Sequence, residues 1–300
     1  MIEAAVLGRV GVDLYPDELR TPLRAVRHYT RYVGGFAGNV CTGLARLGVA
    51  TAIVSRVGAD GHGEFVRDFL EAEGVDCRFL AVDRDWPTPP TFCEIWPPDD
   101  FPITFYRKPT APDWQLAPED YFAPEVAAAP VMFATGTGLA QEPSRATTLG
   151  ALLAHGGTTV FDLDWRPALW DDAGLFGELA REAAGLADVV VGNRDEVAAA
   201  GGLDALLELA PAVVLKRGGD GAVLYAEGEV VDLPGVPVEV ANGLGAGDAF
   251  AAALGYAIVR GLGLAEGVRL GNLAGAYVAQ RIPCSEAMPH LADLVGAGVQ

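Results

Sequence analysis

Residues 242–250 read Asn-Gly-Leu-Gly-Ala-Gly-Asp-Ala-Phe and lead into an alanine-rich stretch at residues 251–259. Small residues before a helix let several backbone N–H groups converge on one point, where the helix dipole adds a partial positive charge. Such a turn binds an anion. Asp248 lies in the first turn of the predicted helix, where its carboxylate can accept a proton from an attacking hydroxyl. The alternative is a helix-capping acid beside glycines that only turn the chain.

The N-terminal part of the chain alternates between strand and helix patterns. An apolar run at residues 4–10 predicts a buried first strand, and Asp13 follows it at a polar crevice. A glycine turn at residues 34–39 opens a predicted helix, and residues 51–54 form the next apolar strand. A second helix is predicted at residues 63–73. This order of elements indicates an α/β fold.

The rest of the chain predicts a parallel sheet with one insertion. Residues 80–111 are rich in proline, aromatic and β-branched residues, which favours a hairpin-like β insert. Apolar strands alternating with helical stretches follow at residues 131–133, 159–163, 189–191 and 213–215. We therefore expect one doubly wound α/β domain over residues 1–300, with helices flanking the sheet. A small β lid would come from residues 11–33 and 80–111.

Composition excludes several classes of protein. The net charge is −19 and the pI is about 4.5, so the electric field of the protein would repel nucleic acid. The four cysteines form no CxxC pair and are expected to be reduced: Cys41, Cys77, Cys93 and Cys284. The first residues carry an acid where a signal peptide needs a base, and no apolar run is long enough to span a bilayer. We expect a cytoplasmic protein with no membrane partner.

Two motifs carry a resemblance to a known family. Gly-Gly-Phe-Ala-Gly-Asn at residues 34–39 and Gly-Ala-Gly-Asp at residues 245–248 resemble the two motifs of the PfkB, or ribokinase-like, carbohydrate kinases. The resemblance extends over essentially the whole chain and implies a ribokinase-like fold. It implies phosphoryl transfer from ATP, with Mg²⁺, to a sugar hydroxyl. Asp248 would be the catalytic base, and Gly245, Ala246 and Gly247 would form the anion hole.

The same resemblance implies further site residues. Asp13, Gly34, Gly35 and Asn39 would hold the hydroxyls of the sugar, although caps and a tight turn explain the same residues. Glu196 would hold Mg²⁺ through water, although the Asn-Arg-Asp-Glu run at residues 193–196 is also a common helix cap. Six residues would contact the nucleotide: Asn193, Lys216, Gly218, Gly219, Gly245 and Asn272. Asn272 is expected to be at the start of the final long helix.

One departure narrows the subgroup. Many family members have Asp-Thr-Thr where this chain has Asn-Gly-Leu at residues 242–244, so no potassium requirement is predicted. Residues 8–15, 104–107, 162–170 and 191–196 resemble the 5-dehydro-2-deoxygluconokinase branch of the family. The resemblance implies phosphorylation of 5-dehydro-2-deoxy-D-gluconate to its 6-phosphate, a step of inositol catabolism.

An acidic substrate draws attention to two arginines and a tyrosine. A planar guanidinium pairs with a carboxylate in a fork, so Arg107 and Arg166 are expected to bind the substrate, with Tyr106 beside Arg107. The alternative for each arginine is a surface salt bridge. A homodimer through the lid is a further expectation.

Other functions stay open from the sequence alone. They are a 2-keto-3-deoxygluconate kinase, another PfkB sugar or nucleoside kinase, and a non-catalytic sugar-binding protein of the same fold. A dinucleotide-dependent oxidoreductase is disfavoured because no GxGxxG opens a helix after the first strand.

Overall fold

The structure is a computed structural model that describes residues 1–121 and 123–296. Its strands are β1 (Ala4–Leu7), β2 (Gly11–Pro16), β3 (Tyr29–Gly34), β4 (Thr51–Gly58), β5 (Leu80–Asp83), β6 (Pro90–Cys93), β7 (Ile103–Phe105), β8 (Val131–Thr135), β9 (Thr158–Asp162), β10 (Val189–Asn193), β11 (Ala212–Lys216), β12 (Ala222–Ala226) and β13 (Glu229–Leu233). Its α-helices are α1 (Phe36–Arg46), α2 (Gly61–Ala72), α3 (Pro118–Tyr121), α4 (Pro124–Ala127), α5 (Ser144–Ala154), α6 (Ala173–Ala184), α7 (Arg194–Ala199), α8 (Leu203–Leu207), α9 (Ala246–Val259), α10 (Leu264–Ala279) and α11 (Leu291–Gly296).

Nine strands form one large sheet in the order β13-β12-β11-β10-β9-β8-β1-β4-β5. Neighbouring strands from β11 to β5 are parallel, and β12 and β13 add an antiparallel edge. Every residue of β1 and β8 is buried, as expected for strands covered by helices on both faces. The predicted α/β class with a parallel sheet is confirmed.

The two faces of the sheet carry separate cores. In β8, Met132 packs into the core on one face with Phe161 and Phe176, whereas its neighbour Phe133 packs into the core on the other face. Phe133 and Phe250 of α9 belong to that second core. The alternation follows from the period of two residues along a strand. It fixes α9 against the sheet, and so determines where the first turn of α9 can lie.

The other four strands form a small sheet in the order β3-β2-β6-β7. The predicted hairpin-like insert is present, because β6 and β7 pair antiparallel. The predicted start of the insert at residue 80 is wrong. Strand β5 pairs in parallel with β4 in the large sheet, since the chain completes a β-α-β unit before it leaves for the small sheet. The predicted first strand was also too long, because β1 ends at Leu7 and β2 begins at Gly11.

The carboxyl ends of the parallel strands meet at one edge of the large sheet. Arg9 follows β1, Asp164 follows β9, and Asn193 and Lys216 end β10 and β11. Ligands of open α/β sheets bind at this edge. None of the helices within the described ranges combines the length and the hydrophobicity that crossing a membrane requires.

Candidate active site

A hydrogen bond joins the two motifs that the sequence analysis singled out. Asn39 in α1 donates from Nδ2 to Oδ2 of Asp248 in α9 over 2.6 Å, across 209 residues of sequence. Asn39 is buried, so this bond is shielded from competing water. The bond therefore places the predicted sugar-binding turn and the predicted catalytic carboxylate in one site.

The turn before α9 has the geometry of an anion hole. Gly245 caps the helix with φ 81° and ψ −11°, a left-handed conformation that glycine adopts without steric cost, and no side chain caps the first turn. Asn242 fixes the preceding loop, because its Oδ1 accepts the Leu244 N–H at 3.0 Å and its amide donates to the Ile282 carbonyl at 2.6 Å. The first N–H groups of α9 are thus left for a ligand.

Lys216 supplies a positive charge beside this turn. A Cβ placed on Gly247 would lie 3.5 Å from Lys216 Nζ, so the ammonium group lies against the turn. Nζ donates to Asp162 Oδ2 at 3.0 Å, and Glu196 Oε2 lies 3.9 Å away. Burial would lower the pKa of Lys216, but these two carboxylates outweigh burial and raise it. Lys216 is therefore a fixed cation, suited to phosphate oxygens.

Glu196 caps a helix as well as facing the cleft. Asn193 Oδ1 accepts the Glu196 N–H at 2.9 Å, and Glu196 Oε2 accepts the Asn193 N–H at 2.7 Å, which is a capping box at the start of α7. Burial raises the pKa of Glu196, and the Lys216 charge opposes that rise. Within the described ranges, no three or more His, Cys, Asp or Glu side chains form a group placed to hold a metal ion.

A cluster of charged groups surrounds Asp13, at the end of the site that the sequence predicts to bind the sugar, which we call the sugar end. Asp13 is only 9% exposed, and a Cβ on Gly34 would overlap its carboxyl group, so only glycine fits at that position. Burial raises the pKa of Asp13 to about 6, although Arg9 and Arg166 oppose the rise. Asp13 can therefore accept hydrogen bonds from hydroxyl groups as an anion near neutral pH.

Asp248 is tuned towards neutral pH. Burial and the charge of Asp164 raise the pKa of Asp248 to about 7, while the bond from Asn39 and the charges of Arg166 and Arg9 act against the rise. A general base works best when its pKa lies near the working pH. A pKa near 7 would suit the role of general base that the sequence predicts for Asp248.

Asp164 orients Arg166. Arg166 Nε donates to Asp164 Oδ1 at 2.8 Å, and Thr137 Oγ1 donates to Asp164 Oδ2 at 3.0 Å. The Asp164 backbone N–H donates to Asp162 Oδ1 at 3.0 Å, in a turn where Asp164 has a φ of 34°. Burial would raise the pKa of Asp164, but Arg166 and Arg9 hold it below its ordinary value. Arg166 is thus held by Asp164 at the cleft that it lines.

A cleft of about 530 Å³ lies beside Lys216 and Arg166. Its lining residues within the described ranges do not include Arg9, Asp13, Gly34, Gly35 or Asn39, so the predicted sugar-binding residues adjoin the cleft through the Asn39–Asp248 bond. All six predicted nucleotide-contacting residues line the cleft, together with Asp248, Asp164, Arg166 and Glu196. Pro98 and Asp99 of the small-sheet insert close one side, where Phe101 lies against Gly243. The volume falls in the range of small-molecule sites.

The pfkB family carbohydrate kinases match this chain over residues 1–291. The chain belongs to this family. The 5-dehydro-2-deoxygluconokinase of Shouchella clausii is 34% identical over 307 residues, covering 97% of this chain and 94% of that protein. Fructokinase from Vibrio cholerae O395, solved with fructose, ADP and calcium, superposes with a TM-score of 0.87 at 27% identity, covering 98% of both chains. Aminoimidazole riboside kinase from Salmonella enterica, solved with its riboside and an ATP analog, has a TM-score of 0.82 at 25% identity and the same coverage.

Family membership confirms the ribokinase-like fold and the ATP-dependent carbohydrate kinase predicted from the sequence. The kinase site of this chain departs from the prediction at three residues. Asn272 lies in the middle of α10 instead of opening that helix, because the helix begins at Leu264. Its amide reaches the nucleotide end by donating to the Leu233 and Pro234 carbonyls at 3.1 Å.

Arg107 and Tyr106 do not line this kinase's cleft. Arg107 is 3% exposed, forms an ion pair with Asp113, and stacks over the Trp114 ring at 4.4 Å. Tyr106 is 58% exposed and packs edge-on against Phe92 on the outer side of the small sheet. Both residues follow β7, where the sequence gives no sign of which side faces the ligand.

Three charged residues of the site were missing from the predicted set. They are Arg9, Asp162 and Asp164, and each lies at the carboxyl end of a strand in the large sheet or just beyond it. That shared position is the signal that would have found them, since such ends carry the ligand site in α/β sheets.

Proposed function

We propose that this kinase transfers the γ-phosphoryl group of ATP to the primary hydroxyl of 5-dehydro-2-deoxy-D-gluconate, forming the 6-phosphate and ADP. The observation that carries the reaction is the Asn39–Asp248 bond, which brings the sugar side and the phosphate side together. The name of the Shouchella clausii relative, at 34% identity over nearly the full chain, supports the substrate. No specific observation favours 2-keto-3-deoxygluconate.

The residues of the site divide the reaction between them. Asp13 and Asn39 orient the sugar, and Asp248 accepts the proton of its hydroxyl. The hydroxyl oxygen then bonds to the γ-phosphorus, and the bond from that phosphorus to the bridging oxygen of ADP breaks. The N–H groups of Ala246 and Gly247 and the ammonium of Lys216 stabilise the charge on the phosphate oxygens.

The donor set fits a nucleotide bound with Mg²⁺. Mg²⁺ keeps several waters and binds proteins through one or two carboxylates plus substrate phosphates, so a site built on Glu196 through water needs no cluster of acids. Glu196 would hold the metal through water, and the metal would supply positive charge to the phosphate oxygens. We propose no monovalent cation, because Asn242 uses its side chain to fix the loop.

The small sheet is proposed to act as a lid and as a dimer surface. Phe101 and Asp99 of its insert reach the anion-hole side of the cleft, so a movement of this insert would open or close the site.

The dimer surface is proposed at a series of aromatic rings. Tyr29, Phe92 and Tyr106 make edge-on ring contacts at 5.3 and 5.4 Å, and Tyr106 is exposed. The wild type should sediment as a dimer, and Tyr106→Arg should lower its apparent mass to that of a monomer. A monomeric wild type, or a variant that stays dimeric, would contradict the proposed dimer surface. We also propose cytoplasmic action within inositol catabolism.

A substrate panel tests the proposed function. ADP release would be measured at saturating ATP and Mg²⁺ with 5-dehydro-2-deoxy-D-gluconate, 2-keto-3-deoxygluconate, fructose and adenosine. The first substrate should have the highest kcat/KM, and the two compounds without a carboxylate, fructose and adenosine, should fall below it by at least about tenfold, because a charged group bound in a fork contributes about that factor. Phosphorus NMR of the product should show a phosphate on the primary carbon. A higher kcat/KM for any other compound would replace this substrate while leaving the kinase assignment intact.

A further inference from the structure

Arg9 is a largely buried cation, and it has no role in the reaction described above. It lies between β1 and β2, and its carbonyl accepts the Ala37 N–H at 3.0 Å, which anchors it to the first turn of α1. Its side chain is 12% exposed, and the guanidinium lies 5.4 Å from the centre of the Phe105 ring. Backbone and ring thus hold the side chain in one place at the sugar end.

One nitrogen of the Arg9 guanidinium, Nε, lacks a hydrogen-bond partner within the described ranges. Arg9 Nε is buried and has no hydrogen-bond partner among the described residues. The carboxylate paired with Arg9, Asp164, places Oδ2 at 3.7 Å, which is beyond a hydrogen bond. Asp164 instead bonds Arg166 and Thr137. Burying a charged donor without a partner is costly, so the position of Arg9 points to an anionic partner supplied by a ligand.

Arg107, the arginine expected to bind the acid, also has a buried Nε without a partner among the described residues, but its guanidinium makes a direct ion pair. Its guanidinium pairs with Asp113 Oδ1, and Asp113 Oδ2 accepts the Val10 N–H at 3.0 Å. Val10 follows Arg9 directly in the chain. The Arg107–Asp113 pair therefore supports the backbone that carries Arg9, which makes Arg107 a positioning residue.

The charges at the sugar end show why an acid needs Arg9. Asp13, Asp164 and Asp248 would repel a substrate carboxylate. Without Arg9, the single positive charge of Arg166 would not balance these three acids. Burial raises the pKa of both Asp13 and Asp248, and Arg9 together with Arg166 opposes that rise. Arg9 therefore acts on the same carboxylates that face the sugar. Arg9 and Arg166 both lie beside Asp164, at 3.7 Å and 2.8 Å, and a guanidinium pairs with a carboxylate in a fork.

We propose that Arg9 is the residue that selects an acidic substrate, by pairing with the carboxylate of the sugar acid beside Arg166. Arg107 supports it through Asp113. This inference rests on the proposed function, because it assumes that the physiological substrate is a sugar acid.

The test compares two substrates that differ in one group. They are 5-dehydro-2-deoxy-D-gluconate and its alcohol analogue, in which a hydroxymethyl group replaces the carboxylate. Arg9→Gln should lower kcat/KM for the acid by about ten- to a hundredfold, and for the alcohol by less than about threefold. Arg9→Lys should recover part of the preference, since it keeps the charge and loses the fork. Arg24→Gln is the matched control, because it removes an arginine from the exposed surface.

The outcomes separate this proposal from the proposed function. If the wild-type enzyme has a higher kcat/KM for the alcohol, the proposal that the substrate is a sugar acid is wrong. A wild-type enzyme that favours the acid, with an Arg9→Gln variant that keeps the same preference, sinks the role of Arg9 alone. Equal losses on both substrates would also sink it, since they indicate a structural role. Asp113→Asn loosens the backbone that carries Arg9, so it should lower the preference for the acid in the same direction as Arg9→Gln, but by less. If Arg9→Gln does not fold, Arg9→Lys gives the same comparison through its KM for the acid.

Discussion

The phosphate end and the sugar end of the site differ in how far the protein satisfies its own charges. At the phosphate end, Lys216 is held by Asp162 and Glu196, and Glu196 is held by the Asn193 backbone. At the sugar end, Arg9 Nε and Asn39 Oδ1 are buried without a partner among the described residues. Groups already paired bind a nucleotide in one rigid arrangement, whereas unpaired groups need the right sugar to complete them. We infer that specificity resides at the incompletely bonded end.

Removing the divalent cation should have the largest effect. The chain has a net charge of −19, and Lys216 is the one lysine that lines the cleft, so ATP needs further neutralisation at the phosphate end. EDTA should reduce ADP formation below detection, and added Mg²⁺ should restore it. Full turnover in metal-free buffer would contradict the kinase mechanism, whichever sugar is used.

Asp248→Asn should have the next largest effect, because it acts where the two ends meet. The amide keeps the size of the side chain but cannot accept the proton, and loss of a positioned base costs about 10²–10⁴-fold in turnover. The affinity for ATP, measured by calorimetry, should change little because the N–H groups of the anion hole remain. A variant with more than about a third of wild-type kcat would remove Asp248 from the mechanism.

The pH dependence of kcat/KM should follow the ionisation of Asp248. Asp248 must be deprotonated to act, and its pKa is raised to about 7 by burial and by Asp164. The kcat/KM of the free enzyme should therefore fall as pH decreases below about 7, by about tenfold per unit in the limit. Asn39→Ala removes a bond that lowers this pKa, so the acid limb should move to higher pH. A limb at the ordinary aspartate value would show that Asp248 does not titrate in this step.

The sequence predicted one end of the cleft better than the other. The phosphate end is built from backbone in a glycine turn and from side chains at strand ends, and both leave a local pattern, as at residues 245–248 and at Lys216. The nine-stranded sheet follows from apolar runs in the same way. The start of the small-sheet insert could not be predicted in this way. Strand β5 is an edge strand with few buried residues, so its sequence resembles that of the insert.

The sugar end depends on contacts that have no local pattern. Arg107 was expected to bind substrate, but its partner Asp113 lies in a separate turn, and only the folded chain shows that the pair is buried. Arg9 lies just beyond a strand end and within residues 8–15, but neither position shows how its side chain is bonded. Its importance comes from its missing hydrogen-bond partner, which is a property of three-dimensional packing.

The smallest expected effect lies at the nucleotide end and would show that the two ends are separable. The Asn272 amide donates to the Leu233 and Pro234 carbonyls at 3.1 Å, and so holds the segment after β13 against the cleft that Asn272 lines. Asn272→Ala should raise the KM for ATP by about two- to tenfold, since neutral hydrogen bonds contribute about 0.5–1.5 kcal/mol. The KM for the sugar should stay unchanged, because Asn272 contacts none of the charged residues around Asp13.

Gln280→Ala is a matched control for this substitution. Gln280 follows α10 and its exposed amide donates only to Ala276 in the same helix, at 3.0 Å, so its removal should leave both KM values as in wild type. A shift in the sugar KM with Asn272→Ala would mean that the nucleotide end and the sugar end are coupled. The unpaired groups at the sugar end would then be completed partly by ATP, and the division of roles between the two ends would fail.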